Sequence, residues 1–208
     1  MFKPQKIDAL YLSDHYYITL DDHCIYLREY TPRAGPSYSD TNQLILNFKK
    51  TLDRKGKPEW YYKERAVEQI TRELAVSFKE QWWKEGTHVP IPPSKIKTNP
   101  LYDDRMTRVL NGIAPMLGIT CDVRELIVQM EDMDAVHLNN DDRPTPAEIR
   151  AIYEIDESLV QPIPKAIGLY DDVITAGAHF RASKDLLEER FPGVPVFGIF
   201  VARRLPAL

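Results

Sequence analysis

Two adjacent carboxylates, Asp171 and Asp172, lead within three residues into a loop of mostly small residues, Thr175, Ala176, Gly177, Ala178 and His179. Neighbouring carboxylates repel each other and resist burial unless donors reach them. Vicinal hydroxyls are such donors. Small side chains let backbone N–H groups converge on an anion, and the positive end of a following helix adds to the attraction. Thr175 adds a hydroxyl. Ile167, Leu169 and Tyr170 before the acids, and Val173 and Ile174 after them, are apolar, aromatic or β-branched, as in a strand covered on both faces. Strand, acids, loop and helix start, in that order, suit a ligand with vicinal hydroxyls and a phosphate, which is a phosphorylated ribose. Ligands of open α/β sheets lie at the carboxyl ends of strands, where this loop should fall. The plainer alternative is a strand-to-helix turn whose solvated Asp pair caps the helix.

The run DDVITAGAHFRASKDLLEER, residues 171–190, resembles the ribose-phosphate signature of the type I phosphoribosyltransferases. The resemblance implies that Asp171 and Asp172 hold the ribose hydroxyls of phosphoribosyl pyrophosphate. Thr175, Ala176, Gly177, Ala178 and His179 would hold its 5-phosphate. Three positions depart from the pattern. Gly168 stands at an apolar strand position. Ala176 replaces the commoner second Thr. His179 stands where Thr or Ser supplies a hydroxyl; its backbone N–H still serves, and a protonated imidazole would add a cation for the phosphate. Gln43–Lys50 (QLILNFKK), a helix over Trp60–Trp83 and Val89–Lys95 (VPIPPSK) are similar to the ComF-like branch of that family. The four-cysteine zinc module of ComF proteins is missing from this sequence.

From the resemblance follow a substrate, phosphoribosyl pyrophosphate, a cofactor, Mg²⁺, and a reaction in which a nitrogenous base displaces pyrophosphate. Ser94 and Lys95, in the loop after the first core strand, would meet the leaving pyrophosphate, so Lys95 joins Asp171 and Asp172 as a catalytic candidate. Mg²⁺ would be held by ligand oxygens and water with no direct protein ligand, contact with Asp171 and Asp172 being the alternative. Arg105 either faces a phosphate or is a solvated arginine. Residues 131–146 fall where the family closes a loop over the reacting centre, with His137 and Arg143 as its useful side chains; a plain surface loop is the alternative. A different class stays open as well: a non-catalytic phosphoribosyl-binding regulator, or an accessory factor in DNA uptake or defence.

The elements that must position these groups follow from periodicity. Strand and helix alternate from residue 88 onward, which predicts an α/β fold with a parallel twisted sheet flanked by helices, type I phosphoribosyltransferase-like by the resemblance. Residues 59–208 would form this core and residues 1–58 an N-terminal hood. In the hood, Tyr16–Leu20 and Cys24–Tyr30 are expected to pair as a hairpin, with Asp21, Asp22 and His23 as its polar turn. A metal at Asp14, His15, Asp21, Asp22, His23 and Cys24 is a minor alternative. A short helix capped by Ser39 or Asp40 should run through Lys50. One helix is expected over 59–84, with Val67, Ile70, Leu74, Phe78 and Trp82 as its apolar stripe. Strands are expected at 88–91, 126–130 and 194–202, and helices at 102–117, 147–156 and 178–190. Arg203 and Arg204 should be solvated.

A chain of 208 residues with 43% hydrophobic content suits one domain with a sizeable core. Its net charge of −4 provides no global basic field for nucleic acid or membrane. Lys49, Lys50, Arg54, Lys55 and Lys57 nevertheless form a local basic run that could meet nucleic-acid phosphates. No apolar run reaches membrane-spanning length, and MFKPQKIDAL does not read as a signal peptide. Two isolated cysteines, Cys24 and Cys121, fit a reduced cytoplasmic protein. The oligomeric state is left open, a homo-oligomer included.

Overall fold

A computed structural model describes residues 3–133 and 144–206. Its centre is a six-stranded sheet in the order β1(Gln5–Lys6), β2(His23–Tyr30), β8(Val196–Arg204), β7(Ile167–Ile174), β3(Thr87–Pro90), β4(Asp122–Val123). All neighbours pair in parallel except β1 with β2. The chain is therefore α/β, with a mostly parallel sheet flanked by helices. Among the described residues, no helix is long and apolar enough to cross a membrane.

Both sheet faces are covered, which is why β7 and β8 read as nearly continuous apolar runs. On one face α1(Asp40–Phe48), α2(Trp60–Ser77), α3(Glu80–Glu85) and α4(Arg105–Leu117) pack through Leu44, Phe48, Ile70, Leu74, Trp83 and Leu110 onto Tyr170 and Ile199. On the other, α5(Pro146–Ala151) and α6(Ala178–Arg190) pack with a separate antiparallel pair, β5(Ile127–Gln129) and β6(Tyr153–Ile155), over Leu169 and Phe200. Gly168 is needed for the first face to close. A Cβ there would come within 2.9 Å of the Trp82 ring and 2.8 Å of the Tyr170 ring.

Several expected elements take a different form. Residues 16–20 are not a strand; β2 pairs instead with β8, from His23↔Phe197 to Tyr30↔Arg204, and with β1. The alternation of residues 24–30 comes from a sheet strand, so the expected hood shares the core sheet. The helix expected over 59–84 breaks at Phe78, whose backbone is extended (φ −123°, ψ 156°). The Ser77 hydroxyl donates to Glu73 O at 2.6 Å, taking an acceptor at the helix end. The break turns α3 so that the fully buried Trp83 stacks on Tyr170 (centroids 6.1 Å apart). The strand near 126–130 joins β6 rather than the main sheet, and the helix expected over 147–156 ends at Ala151, giving way to β6. Arg203 is buried, not solvated: it lies over the Tyr11 ring at 4.0 Å and pairs with Glu29 at 2.6 Å.

Candidate functional site

A cleft of about 540 Å³ opens at the carboxyl ends of β3 and β7. The loops that follow these strands reach it through Ser94 and through Thr175, Ala176, Ala178 and His179, and Asp171 and Asp172 lie on the same wall. Four of the five predicted phosphate-loop residues thus share one cavity with the acid pair. Gly177 turns the chain behind them. Its φ of 91° is left-handed, and a Cβ would meet Ile18 at 2.7 Å, so only glycine fits.

Asp172 is almost fully buried and engaged on both oxygens. Oδ1 accepts Lys49 Nζ at 2.8 Å; Oδ2 accepts Arg105 Nε at 3.0 Å and Nη2 at 2.6 Å. Burial opposes its ionisation, but Lys49 and Arg105 prevail and hold the carboxyl well below the usual range. Arg105 continues the chain of charges, with Nη1 on Asp103 Oδ2 at 2.8 Å. Asp103 Oδ2 also accepts the ammonium of Lys63 at 2.7 Å. Lys63 is fully buried and donates to the carbonyls of Phe48 and Lys50 at 2.7 and 2.9 Å, closing the end of α1. The result is an alternating row, Lys63, Asp103, Arg105, Asp172, Lys49, that ties α1, α2 and α4 to the end of β7.

Asp171, beside it on the strand, forms no ion pair among the described residues, although Lys49 and Arg105 act on it more weakly from a distance. Its Oδ1 accepts the N–H of Asp172 at 2.7 Å. Burial and the negative charge of Asp172 raise its pKa to about 7. One acid of the pair is thus fixed as a carboxylate, while its neighbour takes up a proton near neutrality.

None of the backbone N–H groups of Thr175 through His179 donates to a described residue, so five amides in succession are unpaired around the start of α6. The loop is held instead through its carbonyls. His15 bonds Thr175 O through Nδ1, and the Tyr17 N–H donates to Ala176 O at 2.9 Å. That leaves the amides for a ligand. His179 differs from expectation in its charge. Burial lowers its pKa to about 4, so no imidazolium is present at neutral pH. Its Nδ1 lies 3.0 Å from the hydroxyl of the buried Tyr153; with that hydroxyl donating, the neutral ring carries its proton on Nε2.

The other predicted residues divide. Ser94 and Arg105 line the cleft, Arg105 as the partner of Asp172 rather than as a solvated side chain. Lys95 is not on the lining; its ammonium lies 3.4 Å from Asp132, which also accepts Ile96 N and Asn99 Nδ2. His137 and Arg143 lie outside the described residues. The basic run does not form a single surface: Lys49 turns to Asp172, Lys50 to Asn47, and Arg54 to Asp53 and Glu59. Asp22 holds Arg181 and Lys184 and accepts Thr19 N, which commits the acid nearest His23 and Cys24 to ion pairing.

Sequence reasoning missed Lys63 and Asp103, and it read Lys49 as part of a surface patch. Lys63 carried a signal, because it stands four residues before Val67 and seven before Ile70 and so shares the inward stripe of α2. An inward lysine implies a buried acid. Glu125 was also missed; it lines the cleft and accepts Thr107 Oγ1 at 2.6 Å and Lys97 Nζ at 2.6 Å.

No family model matches this chain, and no curated protein matches it. Among the described residues, no three of His, Cys, Asp and Glu converge as metal ligands. Asp172 has both oxygens committed, which leaves Asp171, outside any ion pair among the described residues, as the less engaged acid of the pair. The described residues do not build a Mg²⁺ site by themselves.

Proposed function

We propose that this cleft binds phosphoribosyl pyrophosphate and that the protein is a phosphoribosyltransferase of type I character. The observation that carries the reading is the meeting, in one cavity, of the acid pair, four loop residues whose amides are unpaired (Thr175, Ala176, Ala178 and His179) and the Ser94 loop. Asp171 accepts a ribose hydroxyl. Asp172 accepts the second by sharing lone pairs with Lys49, whose side chain is 43% exposed and able to swing aside. Residues 175–179 hold the 5-phosphate through N–H groups and the helix dipole, and Nε2–H of His179 replaces the missing hydroxyl. Lys49 and Arg105, rather than Lys95, are the cations beside the reacting centre. Any Mg²⁺ enters on the ligand's own oxygens, and no step here is assigned to it.

The reaction is displacement at the anomeric carbon. The bond from that carbon to pyrophosphate breaks and its electron pair leaves on the pyrophosphate oxygen. A lone pair on the acceptor nitrogen forms the new C–N bond, and a proton on that nitrogen, where there is one, passes to water. Orientation and fixed charge supply the rate enhancement.

A second reading, a phosphoribosyl-binding regulator without turnover, is favoured by the double ion pair on Asp172, which a ligand must rearrange. Pyrophosphate release separates the two. With Mg²⁺ and phosphoribosyl pyrophosphate, the transferase reading predicts release that depends on an added nitrogenous base. Tight binding of the sugar ligand with no release for any purine, pyrimidine or pyridine base would leave the regulator.

A further inference from the structure

Three cations line the cleft: Arg33, Lys49 and Arg105. Two of them neutralise Asp172. Arg33 has no carboxylate partner among the described residues. It is also the one non-glycine residue there with a left-handed backbone, φ 62°. Such a conformation persists in a side-chain-bearing residue only when its surroundings impose it. The surroundings are visible. Asn42, fully buried on α1, accepts Thr31 N at 3.2 Å and donates to Thr31 O at 2.9 Å and Ala34 O at 3.2 Å. A buried amide therefore clamps the turn on both sides of Arg33, and Arg33 lies on the cleft wall with an exposed side chain that has no carboxylate partner among the described residues.

The sheet fixes which side of the cleft this is. β2, β8, β7 and β3 are parallel neighbours in that order, so their carboxyl ends share one edge. Arg33 follows β2, two strand spacings or about 10 Å to one side of β7. Ser94 follows β3, one spacing to the other side. The two flank the acid pair from opposite directions. In a displacement the nucleophile approaches opposite the leaving group. With pyrophosphate on the Ser94 side, the acceptor arrives from the side of Arg33.

We infer that Arg33 selects the acceptor, and that the acceptor is a nitrogen compound bearing a carboxylate, which the guanidinium grips in bidentate fashion. The inference rests on the phosphoribosyl reading of the cleft. Arg33 is a specificity-determining residue here, since the reacting atoms lie at the acid pair. The clamped turn fixes the backbone of Arg33 before the acceptor arrives, so the ordering cost of binding falls on the exposed side chain alone.

The test uses matched pyridine, pyrimidine and aniline acceptors, each as the carboxylate and as the carboxamide, with wild type, Arg33→Gln, Arg33→Lys and Arg33→Gly. The wild type should prefer a carboxylate over its carboxamide by about tenfold or more in kcat/KM. Arg33→Gln should abolish that preference by raising KM for the carboxylate, with the Kd for phosphoribosyl pyrophosphate unchanged. Arg33→Lys should restore part of it. Arg33→Gly suits the left-handed backbone, so it should keep or raise Tm while losing the preference, which separates selectivity from folding. Where no turnover occurs, titration of the carboxylates in the presence of phosphoribosyl pyrophosphate decides: binding lost in Arg33→Gln supports the inference, and no binding overturns it. Equal use of both acceptor types overturns it. So does a loss of affinity for phosphoribosyl pyrophosphate itself in Arg33→Gln, which would assign Arg33 to the pyrophosphate and leave the wider reading standing. If the wild type binds no phosphoribosyl pyrophosphate, the wider reading fails. The carboxylates titrated alone then decide Arg33: binding that Arg33→Gln removes supports its role, and none overturns both.

Discussion

At the scale of single residues, the adjacent acids have been given opposite characters by what lies beside each. Two cations hold the carboxyl of Asp172 well below the usual carboxylate range. Asp171, desolvated and next to that negative charge, titrates near 7. The folded-state pKa of Asp171 lies above its value in an unfolded chain, about 3.9. Its protonation therefore contributes stability that is fully present below about pH 4 and is lost as pH rises through about 7. Asp171→Asn removes this loss. Urea unfolding at pH 8 should show the variant more stable than the wild type by about 1–2 kcal/mol, a figure reduced from the full shift because the cleft admits water. The gain should vanish toward pH 4. An Asp171→Asn protein no more stable than wild type at pH 8 would refute the assignment. The pairing of Asp172 with Lys49 and Arg105 could not be read from the sequence, because 123 and 67 positions separate the partners. The acids themselves were legible, since like charges side by side after an apolar strand are anomalous without a donor.

At the scale of elements, α2 carries its apolar stripe inward with one charge embedded in it. Lys63 reaches from that stripe to the end of α1 and to Asp103. Burial lowers the pKa of the ammonium and Asp103 offsets part of that effect. Lys63→Met fills a similar volume but leaves two carbonyls without their donor and Asp103 with Arg105 as its remaining cation. Removing one partner of a buried pair costs about 3–5 kcal/mol. The variant should lose roughly that much in denaturant unfolding, and a change below about 1 kcal/mol would show the row of charges to be dispensable. Helix positions were legible from the 3.6-residue period, and α1, α4 and α6 fall close to where it puts them. The break at Phe78 was not, because residues 59–84 keep their helical period across it. What interrupts the helix is the need to seat Trp83 under β3 and β7, a tertiary demand that local propensity does not carry. Period-two alternation likewise identified β2 as a strand but could not name its partner, and the nearest candidate in sequence was chosen over β8, some 170 residues away.

At the scale of the whole molecule, the cleft is assembled from chain segments that meet only because the sheet is parallel. The turn after β2, the loop after β3 and the loop after β7 end at one edge, and the N-terminal stretch from His15 to Asp22 fastens the last of them to α6. This arrangement explains why the acid pair and the small-residue loop were visible in sequence, being contiguous, while the proposed acceptor side around Arg33 was not. The central claim is that the acid pair holds a sugar and the amides of residues 175–179 hold its phosphate. Calorimetric titration of wild type and Asp172→Asn with phosphoribosyl pyrophosphate and Mg²⁺, and separately with pyrophosphate alone, tests it most directly. The account predicts one-to-one binding of phosphoribosyl pyrophosphate by the wild type, weakened about tenfold or more in Asp172→Asn, where a hydroxyl acceptor is lost. Pyrophosphate alone should bind Asp172→Asn at least as well as wild type, because Lys49 and Arg105 are released. No binding by the wild type, or equal affinity of both proteins for phosphoribosyl pyrophosphate, would contradict it.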